Sequence, residues 1–181
     1  MSIVTKTGDT GETSLMYGRR VSKNNPRVDA YGAVDELTAA LGLARSVASD
    51  RFLLDQIFSV QKDLIVVMGE LATDPADRER FLKDGFHLTT AEMVDRISSV
   101  IFDLEKDPSL YPKDWVIPGA TPVSATLDFA RTTCRRAERQ IAALSSAEKD
   151  FNPEILRYLN RLSDFCWVLA RYAEKASKTP A

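Results

Sequence analysis

Three stretches of this 181-residue chain hold residue types suited to chemistry on a charged ligand. The first is Thr5-Lys-Thr-Gly-Asp-Thr-Gly-Glu-Thr-Ser14, which mixes hydroxyl groups and Lys6 with glycines that let backbone approach a ligand. Arg19, Arg20, Lys23 and Arg27 follow. Residues 1–27 thus carry five basic side chains against two acidic ones, Asp9 and Glu12, in a chain whose net charge is −2. Backbone N–H groups, hydroxyls and ammonium groups gathered in this way suit a phosphate cradle. The segment is not a Walker loop, because GxxxxGK followed by Ser or Thr does not occur. Its composition equally describes a flexible, solvated arm.

The second stretch, Arg131-Thr-Thr-Cys-Arg-Arg-Ala-Glu-Arg139, holds four arginines and a glutamate in nine residues. At about 100° per residue, Leu127, Ala130, Cys134, Ala137, Ile141 and Leu144 form an apolar stripe, and Arg131, Arg135 and Glu138 fall along its edge. A boundary position partly desolvates a charge and strengthens its hydrogen bonds. The alternative is a solvated face laced with weak pairs one turn apart. The third stretch, Leu159-Asn-Arg-Leu-Ser-Asp164, sets Asn160 and Asp164 on one helical face. An asparagine in mid-helix is mildly unfavourable and hints at a specific hydrogen bond, although a plain polar face would look the same. Other chemistries have little to work with. His87 is the only histidine, so a zinc site lacks a ligand cluster. Cys134 and Cys166 sit in apolar helical patterns and read as small core residues of a protein kept in a reducing compartment, the cytoplasm.

Helices must position these groups. Periodicity and end signals predict them at roughly 26–48, 50–72, 90–106, 122–146 and 153–176. Asn25-Pro26, Thr121-Pro122 and Asn152-Pro153 each put a capping side chain before a proline at the first helical position. Thr89-Thr-Ala-Glu92 has the capping-box pattern. Strand signals are nearly absent, and residues 1–24 read as extended or looped. Two longer gaps, 73–88 and 107–120, are candidates for functional loops. The expected fold is all-α: a five-helix antiparallel bundle over 25–176, preceded by a nucleotide-binding loop segment over 1–24, in one domain spanning 1–181. On the last helix Arg157, Asn160, Asp164 and Arg171 line the side opposite the apolar face. Trp167 and Val168 interrupt that polar side, which calls for cover such as a subunit interface. The near-neutral charge gives no support for a nucleic-acid or membrane partner. There is also no run of 18 apolar residues, and the N-terminus does not resemble a signal peptide.

Taken together, TKTGDTGETSL (5–15), Asp29-Ala-Tyr-Gly-Ala-Val-Asp-Glu-Leu37, Val116-Ile-Pro-Gly119, ARTTCRRAER (130–139) and YLNRLSDF (158–165) resemble the recurring motifs of PduO-type corrinoid adenosyltransferases. They fall in that family's order and spacing and span nearly the whole chain. The resemblance implies a homotrimer with active sites between subunits and a reaction between ATP and cob(I)alamin. Co(I) attacks the ribose 5′-carbon and triphosphate leaves. It implies that Thr5, Lys6, Thr7, Gly8, Thr13, Ser14 and Lys23 contact ATP from one chain. Arg135, Arg136, Glu138, Arg139 and Asn160 would complete the nucleotide site from the next chain. Arg131 would pair with Asp35 across the boundary and shape the corrin side, so that Arg135, Glu138, Asp35 and Arg131 form the catalytic set. Mg²⁺ is expected on the phosphates.

Trp115 matches the family's loop aromatic, often Phe, which expels the lower ligand of cobalt and so eases its reduction. The family's second glycine after Pro118-Gly119 is Ala120 here. A reductase and an enzyme that accepts the product are the implied protein partners. Competing readings are a corrinoid carrier without chemistry, which would not need the phosphate arm, and an ATP-sensing helical bundle.

Overall fold

The computed structural model describes Val4 and residues 6–177, so Thr5 lies outside the described residues. A short hairpin of β1 (Glu12–Ser14) and β2 (Arg20–Ser22) leads into α1 (Pro26–Val47), α2 (Arg51–Leu71), the short α3 (Arg78–Lys83), α4 (Ala91–Glu105), α5 (Pro122–Ala147) and α6 (Pro153–Ala176). The five long helices coincide with those predicted. Their starts follow the local chemistry. The Asn25 side chain accepts from the Arg27 N–H, Thr121 from Ser124 N–H and Asn152 from Glu154 N–H, each just before a proline-led first turn.

The capping box at Thr89–Glu92 does not form. Thr90 occupies the cap position and makes no side-chain capping bond. Thr89 is buried, and its N–H donates to Glu70 on α2 at 2.7 Å. Glu70 also accepts from Asn152, so tertiary contacts override the local pattern. The hairpin is a second departure: Thr13 pairs with Val21 across antiparallel strands of three residues each, too short for alternation to register. Its connection turns through Tyr17 and Gly18, both at positive φ, while Leu15 is buried and the Met16 N–H donates to the Ala72 carbonyl. The gap over 73–88 holds α3, whose Phe81 is buried and stacks on Phe86.

The long helices form a ring. α1 packs on α2 and α5, α5 on α6, and α6 on α4. Arg96 of α4 closes the ring onto Ser59 and Asp63 of α2. Five members cannot alternate direction all the way round, so one neighbouring pair is parallel. That pair is α4/α6: Asn152 bonds to Thr89 where both begin, and Lys175 bonds to Asp107 where both end. Inside the ring the core includes Leu37, Ile57, Leu64, Ile97, Leu127 and Phe165, and the buried Tyr158 hydroxyl donates to Asp63 at 2.7 Å.

The ring corrects two readings of α6. Val168 is buried and Trp167 half-buried within the chain itself, the Trp167 ring lying 5.7 Å from that of Tyr111. No subunit interface is needed to cover them. Arg171 is not on a polar surface but 3% exposed, bonded to Asp128 and Glu174.

Candidate active site

The hint in mid-α6 resolves into a contact between helices. Asn160 Nδ2 donates to Glu138 Oε1 on α5 at 3.1 Å. Asp164 is instead near Arg161. Around Glu138 the arginines differ in their commitments. Arg136 reaches across to Glu36 on α1 and, through that hydrogen bond, holds the Glu36 carboxyl below its ordinary range. Arg135 and Arg139 are exposed and join no ion pair among the described residues. Their charges are therefore open to an anionic ligand.

The N-terminal arm is sorted in the same way. Arg27 is buried, donates to the Leu71 and Thr73 carbonyls at 2.8 and 3.0 Å, and pairs with Glu148. It is a structural post and no part of a phosphate cradle. Arg19 is paired with Asp77 and Asp74. Arg20 ties the arm together by donating to the Thr7 carbonyl at 2.8 Å and to Ser14. Lys6 and Lys23 remain exposed. A Cβ on Gly8 would stand 3.1 Å from Lys23 Nζ, so the bare glycine lets that ammonium group lie close over the loop. Thr13 is half-buried and Ser14 exposed on β1.

These arm groups lie at the C-terminal end of α2, through Met16 and Arg19. Glu138 lies nine residues, about 14 Å, from the end of α5. One chain therefore holds the two halves of the candidate nucleotide site in different places.

At the other end of the bundle, the loop before α5 and the helices α5 and α6 enclose a groove of about 630 Å³, lined by Tyr111, Lys113, Trp115, Asp128, Arg131, Trp167 and Arg171. Trp115 is 99% exposed. Among the described residues the ring packs on nothing, so it does not anchor the loop. The anchor is Asp107, which accepts from Lys175 and Ser109 and is held at a pKa of about 2 by those bonds, Lys175 first. A lowered carboxyl pKa gives stability that is present above the ordinary value of 3.8 and lost as pH falls through about 2. Fluorescence of Trp167 followed from pH 5 to pH 2 should show the loop loosening only below pH 4, and Asp107→Asn should remove that acid transition.

Arg131 Nε is 3.4 Å from Asp128 Oδ1. Asp35 is exposed on α1, and the carboxylate that Arg131 meets within the chain is Asp128. Sequence reasoning passed over Asp128, whose only signal is its place one turn before Arg131 beside the apolar stripe. A further cavity of about 440 Å³ surrounds Arg27, Glu70 and Asn152, whose polar groups are already committed to one another's elements. Neither cysteine offers a nucleophile: both are buried, which drives the thiol pKa up, to about 12 for Cys166. Among the described residues no group of three or more His, Cys, Asp or Glu side chains could hold a metal ion, and no helix is long and apolar enough to cross a membrane.

Residues 3–173 match the family model described as cobalamin adenosyltransferase. The chain is 37% identical over 174 residues to the corrinoid adenosyltransferase PduO of Salmonella typhimurium, covering 94% of this chain but 49% of that protein. It thus spans about half the length of that relative. It is also 37% identical over 172 residues to a corrinoid adenosyltransferase of Citrobacter freundii, covering 95% of this chain and 94% of the other. Among solved structures, a phenylalanine-to-alanine variant of a PduO-type ATP:corrinoid adenosyltransferase from Lactobacillus reuteri, complexed with cobalamin and ATP, superposes with a TM-score of 0.88. The identity is 35%, and the match covers 99% of this chain and 97% of that one.

Proposed function

The chain belongs to the cobalamin adenosyltransferase family, of the PduO type, and from that premise we propose that it transfers the 5′-deoxyadenosyl group of ATP to the Co(I) of cobalamin and releases triphosphate. The observation that carries the reading is the pairing of two sites with matching chemistry: an uncommitted arginine beside the Glu138–Asn160 contact, and a roomy groove with Arg131 and a bare indole ring on its wall.

Co(I) is itself the nucleophile, so no activated Ser or Cys is required. What the protein must supply is alignment of cobalt with C5′ and neutralisation of charge on the leaving triphosphate. Lys6, Lys23, Arg135 and Arg139 have the charge for the second task, with Thr7, Gly8, Thr13 and Ser14 beside them on the arm. Glu138, held by Asn160, would fix the nucleoside end. Mg²⁺ in this reading is carried by the phosphates and solvent, as is usual where a protein offers few carboxylates. When bound it would offset the triphosphate's charge.

The arm and the α5–α6 cluster occupy different places on one chain, so a neighbouring copy would bring them together. Exposed apolar side chains support such an assembly. The antiparallel register that pairs Glu36 with Arg136 puts Leu43 and Phe129 at one height on the outer face of α1 and α5, both about half exposed. We read the chain as one catalytic domain, arm 1–24 and bundle 25–176, working as a homotrimer. A cytoplasmic location fits its two free thiols. A sedimentation or light-scattering mass at micromolar concentration should be three times that of the chain; a stable, active monomer would end this reading. If Arg131 meets Asp35 of the neighbouring copy, Arg131→Ala and Asp35→Ala should each weaken cobalamin binding, and the double change should cost less than their sum. Strict additivity would separate the two residues.

The deciding assay is anaerobic: chemically reduced cobalamin, ATP and Mg²⁺, with formation of adenosylcobalamin followed by absorbance. Cobalamin binding without conversion would favour a carrier, and ATP binding without cobalamin binding an ATP sensor.

A further inference from the structure

Beneath the groove lies a chain of charges whose hydrogen bonding is lopsided. Asp128 of α5 is 3% exposed. One of its oxygens faces Arg131 Nε at 3.4 Å and the other accepts from Arg171 Nη2 at 2.8 Å. The same Nη2 donates to Glu174 at 2.8 Å. Arg171 Nε and Nη1 are buried and have no acceptor among the described residues. A charge cluster kept for stability alone is a poor solution in this form, since unpaired buried donors are unfavourable and apolar residues commonly replace such clusters without loss. The Trp167 ring covers the Arg171 guanidinium, 5.5 Å from ring centre to Cζ. That cover keeps water off and strengthens the coupling among the charges. Arg131, by contrast, is 28% exposed on the groove wall, and among the described residues its side chain bonds through Nε alone.

We infer that Asp128, braced from behind by Arg171, is a positioning residue: it grips Arg131 by Nε and leaves the terminal amino groups of Arg131 presented for a second acceptor at the groove. The assignment rests on the proposed function in taking that groove for the corrin site. Its consequence is selective. Loss of Asp128 releases Arg131 and weakens corrin binding, while the nucleotide groups around Glu138 and Asn160, nearly two turns or more along α5, are untouched.

The test is a double-mutant cycle on the full protein with cobalamin and ATP binding measured separately. Asp128→Asn should lower cobalamin affinity about tenfold and leave ATP affinity unchanged, and it should cause no further loss in an Arg131→Ala background. A second variant, Asp128→Leu with Arg171→Met and Glu174→Gln, removes the buried charges together, so that Glu174 is not left as an unpaired carboxylate, and should show the same selective loss if the asparagine variant fails to fold. Additive effects of Asp128→Asn and Arg131→Ala, or equal loss of both ligands, would overturn the inference. A readout independent of activity is the Hε exchange of Arg131 in ¹⁵N-arginine-labelled protein. It should be protected in the parent and exchange at least tenfold faster in Asp128→Asn, with Arg139 unchanged. An unprotected Arg131 Hε in the parent would refute the grip whatever the enzyme does. A parent that fails to adenosylate cobalamin yet shows this protection would sink the proposed function and leave the grip standing.

Discussion

Trp115→Ala is expected to cut turnover from Co(II) cobalamin by on the order of a hundredfold or more, roughly 2.7 kcal/mol in the barrier, while ATP binding stays normal. The ring is 99% exposed on the loop over the groove and has no packing partner among the described residues. Its removal should therefore change stability by no more than about 0.5 kcal/mol, the usual range for a surface side chain away from special features. An aromatic ring on the wall of a roomy groove is the kind of side chain that lines ligand sites. In the proposed function its task is to keep an axial ligand off the cobalt, since a cobalt that retains one resists reduction. Pre-formed Co(I), which lacks strong axial ligation, should react far better than Co(II) with the same variant. Electron paramagnetic resonance of Co(II) cobalamin with ATP should show a four-coordinate signal in the parent and a five-coordinate one in the variant. A variant that keeps the four-coordinate signal would remove Trp115 from this role.

How far the chain could be read without coordinates depended on the range of the forces involved. The long helices were legible because their signals are local: Asn25, Thr121 and Asn152 each cap a helix that starts with proline, and the apolar stripes repeat for six or seven turns. The hairpin and α3 were not, because three- and six-residue elements hold fewer than two full periods, too few for a pattern to repeat. Where a long-range partner competed, local patterns misled. Thr89 gave up its cap to Glu70, and Arg27, which looked like part of a basic arm, is buried against the end of α2 and Glu148. Arg171 fell on the polar side of α6 by periodicity, yet that side faces α5 and Asp128.

The candidate site divides along the same line. Glu138 and Asn160 could be suspected singly, as a charge beside a stripe and an amide in mid-helix, but their bond to each other crosses 22 residues of sequence. Asp128 gave no comparable signal, since one acidic residue near the start of a helix is ordinary. Arg135 and Arg136, adjacent and alike in sequence, are separated by the fold. One joins no ion pair among the described residues, while the other is tied to Glu36.

That separation sets the last expectation. Arg135→Ala should lower turnover by roughly tenfold to a hundredfold, the loss expected for a charge-assisted hydrogen bond of about 1.5–3 kcal/mol, and leave thermal stability unchanged. Arg135 is exposed and makes no ion pair among the described residues, so its removal breaks nothing in the free protein. With thermal stability and assembly unchanged, the activity lost is assigned to a contact made with the substrates. Arg136→Ala should behave the other way. Its guanidinium is engaged by Glu36, an exposed pair of the kind worth little to stability, and turnover should fall less than with Arg135→Ala. Arg135→Lys separates charge from shape: the ammonium group keeps the positive charge but loses the planar fork that can hold two phosphate oxygens at once. It should recover part of the lost rate, and the remaining deficit measures the fork. The measurement is kcat and the ATP KM at saturating cob(I)alamin for all three variants. A near-normal rate and ATP KM for Arg135→Ala, or a greater loss with Arg136→Ala, would return Arg135 to the solvated face and move the triphosphate contact elsewhere on α5.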